Sequence, residues 1–227
     1  MGNMIVAIQT LNGIAMAVES PRLANPEETP NVISLNQYTA LAYHETLSLG
    51  KHMVETILRP KVDLGGDVVS IATQADGLFR EFVGRNGTTD PLGFLFLGYT
   101  PGGQGAMLGW FHAGDQTRTT RFFPFCMSRS CPVVGYLVNK LYTPDISLPK
   151  ALELVAYAMT QSRIVLTGTP MIEYDQFNLA VIHPDQGFCW LSKEATESSI
   201  GRNQERDREL RIECADLFVA GNDGGGR

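Results

Sequence analysis

The chain has 227 residues, of which 44% are hydrophobic and 19% are charged, and its formal net charge is −6. This length corresponds to one large domain or two small ones, and the composition is globular rather than disordered. Because nucleic-acid-binding proteins usually carry an excess of basic residues, the acidic balance argues against nucleic acid as a partner.

The cysteine and glycine patterns argue against a bound metal or nucleotide. The four cysteines form no Cys-x-x-Cys pair and have no histidine cluster near them, so no zinc site is predicted. The glycine-rich segment 102–105 lacks the Lys-Ser/Thr of a phosphate-binding loop and precedes a strand rather than a helix. We therefore expect no metal and no cofactor.

The N-terminal residues and the lengths of the apolar runs indicate the cellular compartment of the protein. No basic residue precedes the first apolar run, and no run approaches the roughly 18 apolar residues that a membrane-spanning helix needs. The sequence thus predicts a cytoplasmic protein with reduced cysteines and no membrane partner.

The chain opens with a predicted β-hairpin. Apolar runs at 4–10 and 14–19 flank Asn12-Gly13, a pair that favours a tight turn. Both runs are too continuously apolar for a sheet with one wet face, so they are predicted to be buried on both faces. A proline-rich loop at 20–30 then leads to a second predicted hairpin at 31–43.

The elements after this point alternate between helices and strands. They are predicted as helices 44–58 and 63–83, strands 93–99, 106–112 and 117–125, helices 132–141 and 148–164, strands 177–182 and 187–191, and a charged surface helix within 193–213. No linker separates two composition regimes, so one domain is predicted over 1–192, followed by a charged C-terminal helix and a Gly-rich tail over 193–227. Strand blocks buried on two faces need cover on both sides. We therefore expect an α+β fold, a four-layer αββα sandwich.

Four pieces of this order resemble a known family. They are the opening hairpin at 3–19, the second hairpin at 32–42, the Phe-Leu-Phe-Leu-Gly strand at 94–98, and the helix–helix–strand series from 132 to 182. In order and spacing the chain resembles the proteasome-type N-terminal nucleophile (Ntn) hydrolases over about residues 3–192. The resemblance is to the β-type subunits, since the outer-ring subunits carry an extra N-terminal helix and no helix is predicted before the first strand.

The resemblance implies a degenerate active site. In the family a free N-terminal threonine attacks the substrate, its own amine serves as base, and a lysine, an aspartate and a serine support the pair. The corresponding positions here are Asn3 for the threonine, Glu19 for the first aspartate, Asn31 for the lysine, Arg129 or Ser130 for the serine, and Asp175 or Asn178 for the last aspartate. Asparagine has no hydroxyl, and no lysine precedes Lys51. Glu19 is either a solvated strand end or a retained pocket acid.

Two functions follow from this resemblance. The first is a proteasome-like subunit that is catalytically silent and builds a ring-shaped or cylindrical assembly, either with itself or with related subunits. The apolar helix faces at 44–58 and 63–83 exceed what one domain's core needs, which favours a closed oligomer. The alternative is an Ntn-type amide or peptide hydrolase with a non-standard nucleophile such as Ser128, Ser130 or Cys126. His112 is predicted to be a packed or capped histidine rather than a base.

Overall fold

A computed structural model describes residues 4–19, 32–45, 47–100, 103–127, 132–167, 177–203 and 205. Over these residues the protein is mixed α+β, with two five-stranded antiparallel sheets and several helices. The strands are β1 (Ile5–Thr10), β2 (Gly13–Glu19), β3 (Val32–Asn36), β4 (Thr39–Glu45), β5 (Leu92–Tyr99), β6 (Gly105–Ala113), β7 (Gln116–Phe122), β8 (Phe125–Met127), β9 (Phe177–His183) and β10 (Gly187–Trp190).

The helices lie between these strands in the chain. They are α1 (Leu47–Met53), which continues through a π-helical turn (Val54–Leu58) into α2 (Arg59–Lys61), then α3 (Val68–Asn86), α4 (Pro132–Leu141) and α5 (Leu148–Thr167); residues 193–203 are also helical. Helix α3 begins later than predicted because the Asp67 carboxylate caps it, accepting from the N–H groups of Val69 at 2.8 Å and Ser70 at 3.2 Å.

The opening hairpin lies inside the first sheet, as predicted. The strand order of this sheet, sheet A, is β10-β9-β2-β1-β8, so β1 and β2 have neighbours on both sides. Ile5, Ile8, Ile14 and Val18 are all 0% exposed. The prediction that both strands are buried on two faces is therefore confirmed.

The second sheet, sheet B, has the order β3-β4-β5-β6-β7. The predicted strand at 117–125 is wrong in its extent, because residues 117–122 and Phe125 belong to strands of different sheets. Strand β7 ends at Phe122 in sheet B, and β8 begins at Phe125 and pairs with β1 in sheet A. Proline has no main-chain N–H to donate to a neighbouring strand, so a continuous strand is interrupted at Pro124 and the chain passes there from sheet B to sheet A.

Three apolar clusters hold the sheets and helices together. One lies between the sheets and includes Ala7, Met16 and Leu97. A second joins α1, the π-helical turn and α3 to sheet B, and within it Phe79 of α3 packs on Phe94 and Trp110 with ring centroids 4.6 and 5.3 Å apart. The third joins α4, α5 and helix 193–203 to sheet A. Each sheet thus has helices on one face and the other sheet on its opposite face.

The turns of both sheets meet at one end of the protein, which we call the turn end. The N–H of Phe188 in β10 donates to the carbonyl of Gln37 in the β3–β4 turn at 2.7 Å. The phenol of Tyr99, the last residue of β5, donates to the carbonyl of Ile182 in β9 at 3.3 Å. Burial, reinforced by Asp185, raises the pKa of Tyr99 to about 12, so this donor keeps its proton. These two bonds fix the ends of the sheets against each other.

We expect Gly187→Ala to destabilise the protein by about 2 kcal/mol, because a non-glycine residue in strained backbone costs of order 1–3 kcal/mol. Gly187 has a φ of +82°, and a Cβ there would overlap the carbonyl oxygen of Gln37. The control is Gly77→Ala on the exposed side of α3, where a Cβ meets nothing within 4 Å. This change should stabilise the helix by up to about 1 kcal/mol. Urea unfolding measures both, and equal effects would contradict the close approach.

Candidate functional site

The opposite end of the protein, which we call the open end, is where β1 and β9 begin and β2 and β8 end. The registers pair Ile5 with Val18, Glu19 with Phe177, and Val6 with Met127, so these points lie side by side. Strand β5 begins and β4 ends at the same end, since Leu92 pairs with Glu45. The open end therefore collects several strand ends from both sheets.

Of the six candidate positions, the structure describes only Glu19. Its carboxylate oxygen Oε2 accepts the main-chain N–H of Met4 at 2.9 Å, and its own N–H donates to the Met4 carbonyl at 2.8 Å. Glu19 is partly buried, and its carboxylate holds the start of β1 against the end of β2. The Glu19 carboxylate therefore has a structural role in this contact.

The other candidate positions are Asn3, Asn31, Arg129, Ser130 and Asp175, and they lie outside the described residues. In sequence, Asn3 directly precedes Met4, Asn31 directly precedes Val32, and Arg129 and Ser130 follow β8 by two and three residues.

Asn178, the alternative to Asp175, is described, and it does not share a sheet face with Glu19. Successive side chains of β9 point to opposite faces of sheet A: Leu179 belongs to the cluster under the helices, and Ala180 to the cluster between the sheets. Residues two apart in a strand point to the same face of the sheet. Asn178 is therefore on the same face as Ala180, whereas Glu19 is on the same face as Ala17, which packs under the helices. The structure therefore does not bring these two side chains together on one face.

His112 lies beside an open cavity of about 750 Å³ at the β6–β7 end of sheet B. Its Nε2 lies 2.9 Å from the carbonyl oxygen of Thr88, and its Nδ1 lies 2.9 Å from Oγ1 of Thr117. Because a carbonyl can only accept, Nε2 carries a proton and donates to it, while Nδ1 shares a hydrogen bond with the threonine hydroxyl. The ring is 4% exposed and stacks on Trp110. His112 is thus packed against Trp110 and hydrogen-bonded through both ring nitrogens.

A second cleft, of about 340 Å³, lies between β3, β4 and the first helices. Tyr43 lines it with Lys51, Glu55 and Arg59, and burial together with the nearby Glu55 carboxylate raises the pKa of the Tyr43 phenol. π-Helical turns occur frequently at functional sites, and Glu55 lies within one here. Sequence reasoning missed this cleft, although the four-residue spacing of Lys51, Glu55 and Arg59 indicates one helix face.

The described residues contain neither a cluster of metal-ligating side chains nor a helix that could span a membrane. No group of three or more His, Cys, Asp and Glu side chains comes together there. Within the same residues, no helix combines the length and apolarity needed to cross a bilayer.

Comparison with known proteins finds no matching family model and no matching curated protein.

We expect Glu19→Ala to destabilise the protein by about 1–2 kcal/mol, because it leaves the N–H of Met4 without its charged acceptor. Glu19→Gln is the matched control, since its side-chain oxygen can still accept this bond. We expect Glu19→Gln to lower the free energy of unfolding by less than half as much as Glu19→Ala. Urea unfolding gives the stabilities, and hydrogen exchange at the Met4 amide reports the bond itself. Equal losses in the two variants would contradict the anchoring role of the carboxylate.

Proposed function

We propose that this chain is a catalytically silent subunit of the proteasome type, which builds a ring-shaped or cylindrical assembly with copies of itself or with related subunits. We infer that its two sheets and flanking helices form the four-layer αββα sandwich of the Ntn hydrolases. The central opening hairpin and the helices on the outer face of each sheet support this inference.

The observation that carries the silent assignment is the absence of a hydroxyl at position 3 and of a lysine among the first 50 residues. The family's mechanism needs a free amine as base, and a cation near it to lower the pKa of that amine. Glu19, at the position of the family's first aspartate, accepts the N–H of Met4 and so holds the start of β1. No lysine occurs among the first 50 residues, and Asn3 supplies no hydroxyl. Nucleophile and base act as a unit, so the loss of both removes the reaction.

Exposed apolar side chains on both helical layers support the assembly. Tyr136 and Leu141 of α4 are 66% and 48% exposed, and Val69 of α3 is 38% exposed. Helix α4 packs against sheet A and α3 against sheet B, so these side chains lie on the two outer layers. Exposed apolar side chains in a closed oligomer contribute to contacts between subunits.

A hydrolase with a different nucleophile is the second candidate, favoured by Thr117 and His112. The hydroxyl lies 2.9 Å from a ring nitrogen whose partner nitrogen is held by the Thr88 carbonyl. This is the arrangement of a nucleophile, a base and a group that orients the base. The side chains of Cys126, Ser128 and Ser130 lie outside the described residues.

We expect the purified chain to show no turnover of fluorogenic peptides. A variant that begins at position 3 with threonine and carries Asn31→Lys is the comparison, and it tests whether the two groups together restore activity. Turnover by the unmodified chain that a threonine-directed inhibitor blocks would contradict the silent assignment. Turnover that resists this inhibitor and disappears in both Thr117→Ala and His112→Gln would instead establish the second candidate.

We expect Tyr136→Glu to dissociate the assembly, because it places a charge within a contact that is apolar in the oligomer. Native mass spectrometry should give a closed ring for the unmodified chain and smaller species for the variant. Gln116→Glu adds the same charge at an exposed position in β7 and should leave the ring intact. A stable monomer of the unmodified chain at high concentration would contradict the proposal.

A further inference from the structure

Strand β7 is an open edge of sheet B. Among the described residues it pairs only with β6, and its sequence, Gln-Thr-Arg-Thr-Thr-Arg-Phe, contains no acidic residue. Most of its side chains are exposed. An unpaired strand of this length offers main-chain donors and acceptors to another extended chain.

The outward-facing peptide groups of β7 can be assigned. Arg80 of α3 donates from Nη1 to the carbonyl of Thr117 at 3.5 Å, so this carbonyl faces away from β6. Residues in an antiparallel pair alternate between those bonded to the neighbouring strand and those that are not. Thr119 and Arg121 therefore also direct their N–H and C=O groups outward.

Two exposed cations lie on the same strand. Arg118 and Arg121 are exposed, and no described residue forms an ion pair with either of them. The guanidinium of Arg118 lies over the ring of Phe111, 5.6 Å from its centroid, which holds the side chain in place beside the strand. The chain as a whole has a net charge of −6, so this strand is a local basic feature.

A cleft of about 430 Å³ adjoins the C-terminal end of β7, at the turn end of the protein. Leu11 and Phe123 line it together with Arg121. Leu11 is 79% exposed and Phe123 is 72% exposed, the highest values among the large apolar side chains of the described residues. Exposed apolar side chains around a cleft that contains a cation fit a ligand that carries both an apolar group and a carboxylate.

We propose that β7 and this cleft bind an extended acidic segment of a partner protein. The segment adds a strand to sheet B through the outward groups of Thr119 and Arg121, its carboxylates face Arg118 and Arg121, and an apolar side chain enters the cleft between Leu11 and Phe123. A second copy of this chain fits poorly, because pairing β7 with β7 would bring four arginines together on two seven-residue strands. Like charges on paired strands destabilise the pairing.

The binding test uses a fluorescein-labelled peptide of Glu-Glu-Val repeats that ends in Leu and is followed by fluorescence anisotropy. Because alternate residues of a strand point to opposite faces, this repeat places carboxylates on both faces, as Arg118 and Arg121 require. We expect saturable binding that weakens as salt is added, and none for the same peptide with Lys in place of Glu. The double variant Arg118→Glu/Arg121→Glu should bind about tenfold more weakly or worse. The matched control, Lys61→Glu/Lys150→Glu, makes the same charge change at exposed positions outside β7 and should bind as the unmodified chain does.

The strand addition is tested separately from the charges. Thr119→Pro removes one outward N–H without removing a bond to β6, and proline is tolerated at such edge positions. We expect this variant to unfold at the same urea concentration and to bind the peptide about tenfold more weakly. For the unmodified chain, hydrogen exchange should show peptide-induced protection at 116–122.

Three results would overturn the proposal. The first is no binding of the acidic peptide by the unmodified chain. The second is binding that Arg118→Glu/Arg121→Glu does not change, or protection that falls outside β7 and the cleft. The third is self-association without peptide that Thr119→Pro abolishes, which would assign the edge to a second copy of the chain.

Discussion

Burial of the β1–β2 hairpin on both faces is the constraint on which the rest of the structure depends. Every residue from Ile5 to Ile8 and from Ile14 to Val18 is 0% exposed, and alternate side chains enter two different apolar clusters. Each fully buried large aliphatic side chain contributes about 1.5–3 kcal/mol, so the hairpin needs an apolar layer on each side. Sheet B supplies one layer, and α4, α5 and helix 193–203 supply the other.

The same packing gives the protein two unlike ends. At the turn end, short connections and the bonds from Phe188 and Tyr99 lock the sheets together. At the open end, strands begin and finish beside one another, and Glu19 uses its charge to hold the first strand in place. The role that the described residues show for Glu19 at this end is therefore structural.

Exposed features of the molecule fall on different surfaces with different chemistry. The outer helices present Tyr136, Leu141 and Val69, which suit apolar contacts between subunits. The edge at β7 presents main-chain groups and two arginines, which suit an acidic extended chain. Because the two surfaces lie on different elements, the proposed ring assembly and the proposed strand addition can be tested with different substitutions.

The sequence by itself determined the opening hairpin, its burial on both faces, and the presence of two strand groups separated by helices. These features depend on local signals: continuous apolar runs, the Asn12-Gly13 turn and helical apolar spacing. Only the tertiary structure decided that β8 leaves sheet B for sheet A, that Glu19 and Asn178 face opposite sides of one sheet, and that Thr117 meets His112. Each of these depends on register and on which strands become neighbours. A shift of one residue in register reverses every side chain, and local sequence does not encode that choice.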